Sequence, residues 1–169
     1  SEDISKAVEK CMDKLKGSYA LVIMTEDTLI GMRDPYGIRP LCLGKQKDSY
    51  VLASESCALD TIDAQFIRDI EPGEIVVINK DGIRSIKKSQ AGLSYASCIF
   101  EFVYFARPDS TIDGRSVYMA RLQAGRLLAE EQPVDADLVI GVPDSGTVSA
   151  LGYAAAAGIP FDIGLIKNR

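Results

Sequence analysis

The residues with most to offer chemically lie in GVPDSGTVSALG, positions 141–152 of this 169-residue chain. An apolar run, DLVIGV, reaches Pro143, Asp144, Ser145, Gly146 and Thr147, and an Ala- and Gly-rich helix follows. Pro143 ends the strand, Asp144 or Ser145 can cap the helix, and Gly146 leaves room for a ligand to approach the backbone. Free N–H groups and the positive end of a helix favour an anion, and ligands of open parallel sheets gather at this carboxyl edge. Phosphate is the natural guest, with a plain capped helix as the alternative. Neither a Walker loop nor GxGxxG occurs, so the commonest nucleotide-loop readings are disfavoured. Downstream, Lys167 and Arg169 follow the last apolar run, FDIGLI, where both cations can reach the same edge. A solvated basic tail is the competing reading.

Two other groups of residues invite a chemical reading. RDPYGIRPL places Arg33 and Arg39 around a rigid Pro-Tyr-Gly turn, where ion pairing is a better expectation than substrate binding. The four cysteines, Cys11, Cys42, Cys57 and Cys98, are far apart with no CxxC pair, so buried reduced thiols are expected rather than a disulfide framework or a zinc site. There is no histidine. That removes Ser-His and Cys-His mechanisms and the commonest general base together.

Charge narrows the partners. A formal net charge of -5 argues against a surface built to neutralise many phosphates, so a small anionic substrate fits better than nucleic acid. No run of about 18 apolar residues is present, and SEDISKAVEK lacks a signal peptide's apolar stretch. A cytoplasmic protein without a membrane partner is expected.

The elements that must position these residues fall into two styles. The opening stretch puts Ile4, Val8, Cys11 and Leu15 on one helical face, with Asp3 or Ser5 as cap and Gly17 as stop. From Ser18 the chain becomes short apolar runs, SYALVIM, TLIGMR, PLCLG and SYVLAS, punctuated by Glu26-Asp27, Asp34 to Gly37 and Lys47-Asp48. A short helix is expected over Ser56 to Thr61. FIRDIEPGEIVVINKDGIRSIKK then reads as strands, with Pro72-Gly73 and Asp81-Gly82 as hairpin turns. This half is largely antiparallel. Beyond the polar stretch Lys87 to Ser97, CIFEFVYFA reads as a strand, a helix carries Val117, Ala120, Ala124, Leu127 and Leu128, and DADLVIGVP and FDIGLIK read as apolar strands around a second helix. Strand, helix, strand is the pattern of a parallel α/β unit.

Three of these stretches, taken together, resemble one family. RDPYGIRPLCLGK with LASESCALD is similar to the later part of a class II glutamine amidotransferase domain, the kind that uses an N-terminal nucleophile. CIFEFVYFARPDSTIDGRSVYMAR and VPDSGTVSALGYAAAAGIPFDIGLIKNR resemble the junction segment and the start of the phosphoribosyltransferase domain of the glutamine phosphoribosylpyrophosphate amidotransferases, also called amidophosphoribosyltransferases. The resemblance covers essentially the whole chain. It implies an α+β part of layered antiparallel sheets over residues 1–94, then an α/β part with a parallel sheet, the start of a type I phosphoribosyltransferase domain, over residues 95–169. The activity implied is transfer of ammonia from glutamine to phosphoribosyl pyrophosphate, giving 5-phosphoribosylamine, glutamate and pyrophosphate, the first step of de novo purine synthesis. Purine nucleotides as inhibitors and a homo-oligomer are implied as well.

Residue by residue, the resemblance assigns Asp144, Ser145, Gly146 and Thr147 to a phosphate site, Ser145 to its magnesium–pyrophosphate region, and Lys167 and Arg169 to nucleotide or substrate phosphate. Cys98 matches the first cysteine ligand of a 4Fe–4S cluster found in some members. Four thiolates hold such a cluster, and Cys11, Cys42 and Cys57 do not match the family's other ligands, so no cluster is expected on this chain alone. The family's glutaminase uses an N-terminal cysteine whose α-amino group is the base. Ser1 stands first here, ahead of a helix, so no catalytic residue is assigned and the chain reads as an internal segment, inactive by itself. A non-catalytic phosphate- or nucleotide-binding module is the alternative, and another class II amidotransferase a weaker one.

Overall fold

The computed structural model describes residues 4–87 and 94–168. Ser1, the proposed cap Asp3, part of the polar boundary stretch and Arg169 lie outside the described residues. The chain divides into two compact units, Ser1–Cys98 and Ile99–Arg169.

The first unit stacks four layers. Helix α1 (Ile4–Lys14) covers a four-stranded antiparallel sheet of β1 (Ala20–Met24), β2 (Leu29–Arg33), β6 (Glu74–Asn79) and β7 (Gly82–Lys87), in the order β1-β2-β6-β7. A second antiparallel sheet, β4-β3-β5, is built from β3 (Cys42–Gln46), β4 (Ser49–Ala53) and β5 (Gln65–Asp69), and is covered by α2 (Ser56–Thr61). Strand alternation sorts the side chains between layers. Ile30, Met32, Ile75 and Val77 face α1, where Val8 and Met12 close the core. On the opposite face Val76 meets Leu41, Leu43 and Ile70, while Cys42 packs with Leu59 and Ala64 beneath α2. Strands buried on both faces explain why EIVVI and PLCLG are almost continuously apolar.

Two sequence expectations need correction in this unit, and the hairpin expected at Asp81-Gly82 is present with its loop one residue earlier. The buried face of α1 is Ser5, Val8 and Met12, with Ile4, Cys11 and Leu15 exposed. Ser5 is inside because its Oγ accepts a 2.9 Å hydrogen bond from Arg84, which removes the cost of burying a hydroxyl. Pro72-Gly73 is not a hairpin turn, since β5 pairs with β3 and β6 pairs with β2, so the chain changes sheets there. Between β6 and β7 the loop residues are Lys80 and Asp81, with Gly82 (φ +109°) already paired to Asn79. Asn79 Oδ1 accepts the Asp81 N–H at 2.9 Å and closes the loop.

The two sheets are pinned by a buried acid. Glu74 on β6 is 0% exposed, and its carboxylate takes Arg68 of β5 bidentately at 2.7 and 2.8 Å, the Glu71 N–H at 2.7 Å, and the Ser85 hydroxyl of β7. Burial by itself would raise the Glu74 carboxyl, but the hydrogen bonds from Arg68, Ser85 and the Glu71 N–H outweigh it and hold the group below its ordinary value.

In RDPYGIRPL, Asp34 and Arg33 both bond to backbone groups. Asp34, fully buried, accepts the N–H groups of Tyr36 and Ile38 on one oxygen at 3.0 and 3.1 Å and that of Arg39 on the other at 3.0 Å. Arg33 donates to the carbonyls of Arg39, Ile70 and Gly37 at 2.7 to 3.0 Å. The segment before the second unit docks on this turn, with the Ala96 N–H on Tyr36 O at 2.9 Å and the Cys98 N–H on Ile38 O at 3.4 Å. Gly37 has no Cβ because Pro72 Cγ would lie 2.7 Å and Tyr95 Cε2 3.0 Å from it.

In the second unit CIFEFVYFA is helical rather than extended, with a π-helical turn at Glu101–Phe105. Its aromatic and β-branched composition reads as strand. The deciding partner is Arg121, distant in sequence and buried, which donates to Phe102 O at 2.6 Å and Ala106 O at 2.8 Å and so satisfies carbonyls at the end of the turn. A two-strand hairpin, β8 (Thr111–Ile112) and β9 (Arg115–Ser116), leads into α3 (Val117–Glu131), whose Ser116 hydroxyl accepts the Met119 N–H as a cap. Then come β10 (Val139–Ile140), α4 (Gly146–Ala157) and β11 (Phe161–Asp162), with β10 and β11 parallel. The helices α3 and α4 cross at two glycines: a Cβ on Gly125 would lie 1.8 Å from Ser149 O, and one on Gly152 2.1 Å from Leu122 O. Among the described residues no helix is long and apolar enough to cross a membrane.

Candidate functional site

The parallel pair decides where the polar residues go. With Val139 opposite Phe161 and Ile140 opposite Asp162, both strands end at the same edge, and the turn of residues 141–146 leaves β10 just where the chain leaves β11. Gly141 is the tight point: a Cβ there would lie 2.6 Å from Thr147 Cα, so the first turn of α4 sits directly on the strand end. At Gly146 a Cβ would meet nothing nearer than Val142 Cβ at 3.8 Å. The close approach seen within the protein is therefore made at Gly141, which the motif reading had passed over.

The capping expectation is also corrected. Ser145 precedes α4 in a helical conformation (φ -67°, ψ -35°), and no side chain caps the helix. The backbone closes the turn instead, with Gly146 N–H on Val142 O at 3.1 Å and Thr147 N–H on Asp144 O at 3.4 Å. Asp144 is thereby left for other work. Its Oδ2 lies 3.4 Å from Lys167 Nζ, with the two side chains 69% and 62% exposed.

These groups line a cleft of about 290 Å³ whose walls include Gly141, Asp144, Thr147, Asp162, Ile166 and Lys167. Of the residues proposed from sequence, the structure brings Asp144, Thr147 and Lys167 to this cleft, with Ser145 and Gly146 in the same turn. Arg169 is outside the described residues. Asp162 had been missed, although an acid at the end of the strand following a βαβ helix falls on the same carboxyl edge by topology alone. Its Oδ1 accepts the Ile163 N–H at 2.7 Å, which fixes the carboxylate at the mouth of the cleft.

Asp144 and Asp162 line the cleft, with Ser145 in the adjoining turn, and magnesium usually takes one or two such carboxylates together with a substrate's phosphates. The donor set fits that ion. The resemblance matches only Cys98 to a ligand of a 4Fe–4S cluster. Cys98 is half-buried and Cys11 exposed, whereas Cys42 and Cys57 are buried. Burial first, then the nearby Asp69, pushes the Cys42 thiol up to about 12, which disfavours the thiolate a cluster requires. Two of the four thiols thus belong to the core, and Cys11, on the exposed side of α1, departs from the expectation that all would be buried.

Comparison with known proteins agrees in both sequence and fold. Residues 2–61 match the family model for a glutamine amidotransferase domain. An amidophosphoribosyltransferase of Archaeoglobus fulgidus is 51% identical over 167 residues, and those of Mycobacterium tuberculosis and Bacillus subtilis are 52% and 48% identical over 165 and 162 residues. These alignments cover 96–99% of this chain and 31–36% of the relatives, so the chain spans about one third of their length. The solved structure of glutamine phosphoribosylpyrophosphate amidotransferase from B. subtilis, complexed with ADP and GMP, superposes with a TM-score of 0.94 at 46% identity, covering 100% of this chain and 37% of that one. A structure described as the allosteric regulatory enzyme of purine biosynthesis superposes equally well, with a TM-score of 0.94.

Proposed function

We propose that this chain, homologous along nearly its whole length to the amidophosphoribosyltransferases, serves the transfer of ammonia from glutamine to phosphoribosyl pyrophosphate that begins purine synthesis. Its first unit supplies layers of a glutaminase domain, and its second begins a type I phosphoribosyltransferase domain. The observation that carries this reading is the cleft at the carboxyl edge of β10 and β11, which Asp144, Asp162 and Lys167 line beside the start of α4. An Mg²⁺-bound pyrophosphate group suits it: the carboxylates and the Ser145 hydroxyl would hold the cation, and Lys167 with Arg169 would hold phosphate oxygens. Magnesium, when bound, neutralises charge that develops on the departing pyrophosphate. The protein's own groups orient that leaving group and bring the N-terminal end of α4 to it.

A second reading keeps the ligand and drops the turnover: a module that binds phosphate or purine nucleotide without catalysis. It draws on the same residues, Ser145, Gly146, Thr147, Lys167 and Arg169, as a phosphate site without an assigned nucleophile. One assay separates the two. Phosphoribosyl pyrophosphate, magnesium and either glutamine or ammonium are supplied, and pyrophosphate release is followed beside binding heat. Nitrogen-dependent release is the enzyme's result, saturable heat without release is the module's, and no heat under any condition contradicts the phosphate site in both.

A further inference from the structure

In the first unit, the carbonyls of residues 36–39 are claimed alternately by two partners. Those of Gly37 and Arg39 accept from the Arg33 guanidinium at 3.0 and 2.8 Å. Those of Tyr36 and Ile38 accept from the Ala96 and Cys98 N–H groups at 2.9 and 3.4 Å. Both stretches advance by two residues in the same direction, which is the spacing of a parallel ladder. In such a ladder the Ile38 N–H would return a bond to the 96–98 segment. It is already spent, because all four N–H groups of residues 36–39 go to Asp34: those of Tyr36, Ile38 and Arg39 to its carboxylate and that of Gly37 to its carbonyl. This edge therefore offers acceptors and no donors. Its own shape is set by Asp34 and Arg33, both buried, rather than by the segment that lies on it.

Tyr95 adds a side-chain hold. A Cβ on Gly37 would lie 3.0 Å from Tyr95 Cε2 and 3.2 Å from its Cδ2, so the ring rests on the one residue of the turn that has no side chain. Gly37 is buried beneath it, whereas Ser94 to Ser97 are exposed. Backbone bonds made at an exposed segment compete with water, and a ladder bonded from one side has fewer of them to lose. We propose that residues 95–98 form a releasable clasp on the Tyr36–Ile38 edge, with Tyr95 as its pin, which opens while the turn beneath stays folded. The first unit ends at Cys98 and the second begins at Ile99, so opening the clasp adds residues 95–98 as slack to the connection between them. Asp34 acts twice in this arrangement. It builds the turn, and by taking the Ile38 N–H it keeps the clasp one-sided and reversible.

Amide hydrogen exchange on the full chain, read residue by residue, tests the clasp. In wild type the Ala96 amide is expected to exchange about a hundredfold faster than those of Ile75 and Val76 in the sheet, yet more slowly than in an unstructured peptide. Tyr95→Ala should speed Ala96 by about a further tenfold. The Tyr36, Ile38 and Arg39 amides held by Asp34 should keep their wild-type rates in that variant, and the thermal midpoint should not move. An Ala96 amide as slow as Ile75 would make the segment part of the core and overturn the clasp, and one as fast as free peptide would remove the docking itself. Tyr95→Ala that leaves Ala96 unchanged contradicts the pin. Loosening of Arg39 together with Ala96 would mean that segment and turn open as one, which also overturns a separate clasp.

Discussion

Two turns of nearly the same vocabulary, RDPYGIRP in the first unit and GVPDSGT in the second, spend their charges in opposite ways. Asp34 gives its carboxylate to three N–H groups of its own turn, and Arg33 gives its guanidinium to three carbonyls, while both side chains are themselves buried. Asp144 gives nothing to its own backbone, and its recorded side-chain partner is Lys167 across an open cleft. A charge consumed by backbone groups makes a rigid structural corner, whereas a charge left to another exposed charge can be exchanged for a ligand. Composition alone cannot tell the two apart: both have Pro, Asp and Gly within four residues, and the hydrogen-bond partners differ.

The strongest way to break this contrast is to remove the buried acid. Asp34→Ala leaves three partly buried N–H groups without their acceptor and should cost about 2–4 kcal/mol, read as a large fall in thermal midpoint. A loss below about 1 kcal/mol would mean that water replaces the carboxylate and that the first turn is as open as the second. Next in size is Gly125→Ala, which drives a Cβ into Ser149 O and forces α3 from α4; about 1–3 kcal/mol is expected in a denaturant melt. Glu74→Gln should cost about 1–2 kcal/mol at neutral pH, because an amide keeps some of the four hydrogen bonds.

Acid sharpens that last prediction. The folded Glu74 carboxyl lies below its unfolded value, so its stabilisation is complete above about pH 5 and is lost as pH falls through the lower, folded value. The stability gap between wild type and Glu74→Gln should therefore narrow between pH 6 and pH 3 in urea titrations. A gap that widens toward acid would reverse the sign of the shift. The smallest stability effect belongs to the second turn: Lys167→Ala should change the melt by no more than about 0.5 kcal/mol, since the ion pair it removes is exposed.

Much of this architecture is legible in the residues, and the places where it is not share a cause. Strands and turns of the first unit follow from local alternation and from punctuation such as Lys47-Asp48 and Asp81-Gly82, and α2 occupies Ser56–Thr61 as expected. Pro72-Gly73 misleads because a turn signal says where the chain bends, not whether the strands on either side join the same sheet. The face of α1 is displaced by a hydrogen bond between Ser5 and Arg84, 79 positions away. CIFEFVYFA is held helical by Arg121, which no window around residues 98–106 contains. At the cleft, the meeting of Asp144 with Lys167 could be anticipated from strand–helix–strand topology, whereas the uncapped start of α4 and the tight contact at Gly141 depend on backbone geometry that residue type leaves open.

The open turn is the proposed phosphate site and the closed turn a structural corner. Backbone amide shifts during titration with magnesium pyrophosphate test it most directly. The predicted result is saturable movement centred on residues 144–147 and 162–167, with residues 33–39 unmoved, and a loss of affinity of about tenfold in Lys167→Ala. Saturable movement centred on residues 33–39, or affinity indifferent to Lys167, would contradict it.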